Sequence, residues 1–171
     1  SYHHARQMSD VSFFEIGKVF AKDIELEHLA IALDGKLIDS TYHKSDLVAN
    51  YYVLKGLLDL VGDNLGFKFD VKKSTDINAL HPGIQGDIYL NDKVVGYIGK
   101  LHPTYETKMD VENIYVLELD LSILNKTYVP VVFESISKYP SVSRDISFII
   151  SKEYAINDVL GLIYQTARKL I

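Results

Sequence analysis

Two of the six histidines sit in identical tripeptides, Leu80-His81-Pro82 and Leu101-His102-Pro103. Between them lies GIQGDIYLNDKVVGYIGK, a run that reads as a β-hairpin turning at Asn91-Asp92. With Leu90 opposite Lys93, the pairing carries outward through Ile88 and Val95, Asp87 and Gly96, and Gly86 and Tyr97, until His81 faces His102. Opposed residues in an antiparallel pair stand about 4.5–5.5 Å apart at Cβ, close enough for two imidazoles to share a metal ion. The chemistry this would support is metal-dependent hydrolysis by a stand-alone enzyme.

Three points oppose that reading. Pro82 and Pro103 have no N–H to give a ladder, so pairing is expected to stop short of the histidines. Zinc takes three or four protein ligands, and His28 and His43 would have to arrive from elsewhere in the fold. The sequence holds no cysteine, which removes thiolate ligands and disulfides together. The histidines therefore read as structural residues at a sheet edge, with no metal site expected. Glu15, Glu118 and Asp120 lie in strand-like runs and are the other candidates for acid–base work. Neither a Gly-rich phosphate loop, nor HExxH, nor GxSxG is present. The residues alone define no catalytic set.

The elements that would carry these groups are mostly strands. Residues 11–20, VSFFEIGKVF, read as a strand with a bulge or close approach at Gly17. LAIAL at 29–33 is a second strand, ended by Asp34-Gly35. Leu47, Tyr51, Leu54, Leu58, Val61 and Leu65 share one helical face, with Ser45 or Asp46 to start the helix and Gly62 or Gly66 to end it. Residues 67–71 are a further strand, and YVLELDL at 115–121 alternates as a half-buried strand does. Near Pro130, Ser135, Ser137 and Pro140 a boundary is expected. Beyond it, Asp145–Ile150 reads as a strand and residues 156–170 as a helix. The expected architecture is α+β, an antiparallel sheet with flanking helices, followed by a separate βα unit.

Charge separates the same two parts. The net charge is −5 over 171 residues, unfavourable for nucleic-acid binding by the whole surface. Residues 136–171 hold Lys138, Arg144, Lys152, Arg168 and Lys169 against Asp145, Glu153 and Asp158, a balance of +2. The other 135 residues keep 13 of the 18 basic and 20 of the 23 acidic side chains, a balance of −7. With 47% hydrophobic residues and no membrane-length apolar run, the chain is expected to be globular and cytoplasmic, with no membrane partner.

Three segments together resemble one family. SYHHARQMSDVSFFEIGKVF, with Phe14-Glu15-Ile16-Gly17, is followed by the hairpin bracketed by two His-Pro pairs around Gly96-Tyr97-Ile98-Gly99. Then comes KYPSVSRDISFII, with Tyr139-Pro140-Ser141 and Arg144-Asp145. In this order and spacing they resemble the bacterial phenylalanine–tRNA ligase β subunit, over essentially the whole chain. Ile84-Gln85-Gly86 and His3 depart from the family pattern.

The resemblance implies a C-terminal fragment of a longer subunit. Residues 1–132 would be part of a non-catalytic domain like that of class II aminoacyl-tRNA synthetases. Residues 133–171 would begin a ferredoxin-fold anticodon-binding domain. It also implies an α-subunit partner in an (αβ)₂ heterotetramer and contact with tRNA(Phe). ATP and magnesium would be used by the parent complex, and no cofactor would be bound by this part. Lys138, Arg144, Lys152, Arg168 and Lys169 become the candidate phosphate contacts. Two rivals remain: the hydrolase built on His81 and His102, and an assembly module that touches no nucleic acid.

Overall fold

Asn50 sets the start of the principal helix. Its side chain accepts hydrogen bonds from the Tyr52 and Val53 N–H groups at 2.9 and 3.0 Å, so two backbone donors that the helix cannot use are satisfied. This computed structural model describes residues 10–22, 24–38, 46–124, 133, 138, 140 and 142–167. In chain order the elements are β1 (Phe13–Ala21), β2 (Ile24–Leu33), β3 (Lys36–Ile38), β4 (Leu47–Val48), α1 (Tyr51–Leu65), β5 (Asp70–Lys73) and β6 (Leu80–Leu90). After them come β7 (Lys93–Leu101), α2 (Pro103–Met109), β8 (Tyr115–Asp120), α3 (Leu121–Leu124) and α4 (Ile156–Ala167). The chain divides into two compact units, Ser1–Val132 and Phe133–Ile171.

In the first unit six antiparallel strands form one sheet, ordered β1-β2-β8-β7-β6-β5. Alternation along β8 turns Leu117 and Leu119 into the core and leaves Glu118 on the other face. Helix α1 lies on the core face, packed against β7 and β8. Leu54, Leu58, Ile88, Ile98 and Leu119 are fully buried there. Each such side chain contributes about 1.5–3 kcal/mol through the apolar area it removes from water.

The helix is shorter at its start than its apolar spacing predicts. Leu47 belongs to β4, paired with Ile38, and Asn50 rather than Asp46 caps α1; Ser45 lies outside the described residues. The buried line is Leu54, Leu58 and Gly62, and Leu65 is exposed. At the far end Gly66 adopts φ 74°, and the Phe67 N–H bonds the Gly62 carbonyl at 2.8 Å. That chain reversal brings the Phe67 carbonyl oxygen within 2.6 Å of where a Cβ on residue 62 would stand. It also delays the next strand, so β5 starts at Asp70 rather than Phe67.

Other expectations are corrected as well. β1 pairs with β2 without a register shift through Gly17, and a Cβ there would meet only Glu15 Oε1 at 3.6 Å, so neither bulge nor close approach exists. The bulge lies in the hairpin instead. Leu90 and Tyr89 face Lys93 and Val94 as expected, but Ile88 then faces Gly96. The extra residue, Val95, turns into the core and is 1% exposed.

The second unit contains α4, with Asp158 in its first turn. Residues 142–150 form no strand, against the expectation for Asp145–Ile150. A strand needs a neighbour for its backbone groups, and none stands beside this segment among the described residues. Ile146, Phe148 and Ile149 are exposed, and α4 buries no residue. Leu170, expected in the helix, lies outside the described residues.

Candidate functional site

The polar centre of the sheet is on the face away from α1. Register places Glu15, Ala30, Glu118, Tyr97, Asp87 and Lys72 in one row across all six strands. Ala30 directly opposes Glu118, and its methyl group leaves the carboxylate room to reach diagonally along β2. There His28 Nδ1 lies 2.6 Å from Glu118 Oε1, while the Tyr97 hydroxyl donates to Oε2 of the same carboxylate. Gly96 lets β7 and β8 approach at this point, because a Cβ there would stand 2.0 Å from the Glu118 carbonyl oxygen.

Electrostatics follow from this geometry. Burial, the hydrogen bond to Glu118 and the charge of that carboxylate all push the Tyr97 phenol well above its ordinary value of 10.0. Tyr97 therefore stays protonated and donates. His28 Nδ1 meets the same carboxylate, and among the described residues its buried Nε2 has no hydrogen-bond partner.

A carboxylate orienting a histidine is one part of a hydrolytic triad, whose second imidazole nitrogen must reach a nucleophile. Among the described residues no hydroxyl meets His28 Nε2. Ser122, next along the chain from β8, accepts the Glu27 N–H at 2.9 Å instead. Asp120 accepts the Ser122 N–H at 2.8 Å and so caps the short α3 turn. Glu15 is exposed two strands from Glu118, about 10 Å away at strand spacing. The three carboxylates weighed from sequence are thus not an acid–base pair. Glu118 is a bridge, Asp120 a cap and Glu15 a surface group.

The two histidines are not opposed. β6 and β7 end their pairing at Leu80 and Leu101, and His102 leaves the strand to cap α2. His81 Nδ1 accepts the Gly83 N–H at 3.0 Å, and His102 Nδ1 accepts the Thr104 N–H at 3.2 Å. Each His-Pro-X tripeptide is therefore the same local device, in which proline fixes the backbone and the imidazole satisfies the N–H two residues on. At His102 this starts α2, with Pro103 in the first turn. Among the described residues no three His, Asp or Glu side chains gather to hold a metal ion.

Of the tail cations, Lys138, Arg144 and Lys152 are exposed. Arg168 and Lys169 lie outside the described residues. No helix among the described residues is long and apolar enough to cross a membrane.

Comparison with known proteins agrees with this architecture. A family model described as "Phenylalanyl tRNA synthetase beta chain CLM domain" matches residues 1–121. A "Phenylalanine--tRNA ligase beta subunit" of Onion yellows phytoplasma (strain OY-M) is 36% identical over 168 residues, covering 97% of this chain and 20% of that protein. The protein of the same name from Staphylococcus aureus (strain MSSA476) is 34% identical over 171 residues, covering 96% of this chain and 21% of its own length. The chain thus spans about a fifth of the length of the curated relatives it matches. With a family model covering most of its length and an antiparallel α+β fold to match, the chain belongs to the family of the phenylalanyl tRNA synthetase beta chain CLM domain.

Proposed function

We propose that the chain works as a non-catalytic scaffold within a phenylalanine–tRNA ligase β subunit. In this reading residues 1–132 are a class II synthetase-like domain that supports the α subunit in an (αβ)₂ assembly. Residues 133–171 begin a ferredoxin-fold, anticodon-binding module for tRNA(Phe). The parent complex esterifies phenylalanine to tRNA using ATP and magnesium in the cytoplasm, and its chemistry resides in the α subunit.

Family membership supports the ligase assignment, and one observation supports the scaffold role. The sheet face free of α1 carries Asp87, Glu118 and Asp120 on its middle strands, with Glu15 at the β1 edge and Lys72 at the β5 edge. Such a face repels a triphosphate, whereas adenylate chemistry needs cations aimed at developing phosphate charge. The hydrolase reading keeps no support, since both of its histidines are committed to local turns.

The test is phenylalanine-dependent pyrophosphate exchange by the purified chain, alone and mixed with an α subunit. The expected result is no exchange alone and co-elution of the two chains on gel filtration. Exchange by the chain alone overturns the scaffold role, and failure to associate removes the α-subunit partner. Filter binding of tRNA(Phe) to the assembled ligase at low and high salt tests the second unit. Lys138→Ala, Arg144→Ala and Lys152→Ala together should weaken binding and flatten its salt dependence. Unchanged binding would favour a module of assembly alone.

A further inference from the structure

A groove of about 380 Å³ opens between the first turn of α1, the end of β5 and the start of β6. It is lined by Tyr51, Tyr52, Val71, Lys73, Ile84 and Gln85, with Gly83 at its rim. Lys73 opposes Gly86 and Val71 opposes buried Ile88, so both lie on the α1 side of the sheet. Asp70 and Lys72 alternate onto the other side, where Lys72 stands 4.5 Å over the Tyr89 ring. Lys73 is therefore the cation of this groove.

Its neighbours are aromatic. The rings of Tyr51 and Tyr52 meet edge to face, 5.9 Å apart. Gly86 makes room for the Tyr51 hydroxyl, which would lie 3.5 Å from a Cβ at that position. Tyr52 is 82% exposed, an unusual outlay for so large a ring. Gln85 is spent on structure, accepting the Ile77 N–H and donating to the His81 carbonyl. Among the described residues, neither tyrosine hydroxyl nor the Lys73 ammonium has a hydrogen-bond or ion-pair partner. An open aromatic face, two hydroxyls and one cation converge on a space of ligand size.

From this convergence we infer that the groove binds one nucleotide of single-stranded RNA, its base stacked on Tyr52 and its phosphate held by Lys73 and the Tyr51 hydroxyl. An aromatic platform beside a cation is how single strands are held without regard to sequence. The inference rests on the ligase reading only for which RNA is at hand.

The test is fluorescence anisotropy of a labelled oligoadenylate against the purified chain, over a range of salt. Tyr52→Ala should weaken binding about five- to a hundredfold, and Tyr52→Phe should bind like the parent. Lys73→Met should weaken binding and lower the salt slope by about one. Tyr52 and Lys73 are exposed, so these variants keep the fold, which circular dichroism checks. Binding that is absent, indifferent to both variants, or abolished only by Arg144→Ala overturns the inference. So does capture of polyglutamate in place of RNA, which would make the groove a protein-docking site. Failure to join an α subunit would sink the ligase reading and leave these anisotropy results standing.

Discussion

His28 and Glu118 are 90 positions apart in the chain, yet their side chains meet at 2.6 Å across β2 and β8. Tyr97 of β7 shares the same carboxylate, so three strands are tied at one point on the polar face. Glu118→Gln keeps the shape and removes the charge, while Glu118→Ala removes both acceptors. The alanine variant is expected to lose about 1–3 kcal/mol, because Tyr97 and His28 are left without their partner in a half-buried site. Urea unfolding measures the loss. A double-mutant cycle with Tyr97→Phe should show non-additivity of at least about 0.5 kcal/mol. Additive effects would mean that the shared carboxylate does not couple the strands.

The same link has a pH signature. The Tyr97 phenol is raised above its ordinary value of 10.0 in the folded chain, so the unfolded chain releases that proton first. The stabilisation is therefore fully present below pH 10.0 and is lost as pH climbs through the folded value. Absorbance of tyrosinate should show the last of the twelve tyrosines ionising only with alkaline unfolding, and Tyr97→Phe should remove that late step. Tyr51, raised first by burial and then by the neighbouring Tyr52, should also lag. A Tyr97 that ionises with the exposed tyrosines would contradict the hydrogen bond.

The paired histidines are expected to behave as caps. His102→Ala removes the acceptor for the Thr104 N–H and should cost about 1 kcal/mol, with His102→Asn restoring most of it. Thermal melts of the two variants, with and without a chelator, make the comparison. A chelator effect of comparable size in the parent chain would revive metal binding.

The sequence shows its turns more plainly than its partnerships. Asn91 and Asp92 both take positive φ, 49° and 64°, as a tight hairpin requires of its two central residues, and those residue types announce it. Two rungs of the hairpin register follow from the turn. The third does not, because the bulge at Val95 is chosen by burial of that side chain in a core built from β6, β7, β8 and α1. Helix α2 escapes periodicity for a different reason. It is seven residues long, and its cap is a histidine rather than Ser, Thr, Asp or Asn. The His28, Glu118 and Tyr97 association is invisible in one dimension, since nothing local to His28 names a partner on β8. Glu118 could be marked as a strand carboxylate, but its role depends on Ala30 opposite and on the close approach at Gly96.

That close approach yields the sharpest contrast between two glycines. A Cβ on Gly96 would stand 2.0 Å from the Glu118 carbonyl oxygen and 3.0 Å from Leu119 Cα, both backbone atoms of the next strand. No side-chain rotation relieves such a clash, so β7 and β8 must separate, and with them Tyr97 from Glu118. Gly96→Ala should therefore cost more than about 3 kcal/mol, at the upper end of what single substitutions do. Gly56 is exposed within α1, and a Cβ there meets nothing within 4 Å. Gly56→Ala should stabilise the chain by about 0.5–1 kcal/mol, because alanine gives up less backbone freedom on entering a helix. Chemical denaturation of both variants decides the point. If Gly96→Ala unfolds at the parent's midpoint, the two strands are not packed backbone to backbone, and the tie between His28, Glu118 and Tyr97 loses the geometry that makes it.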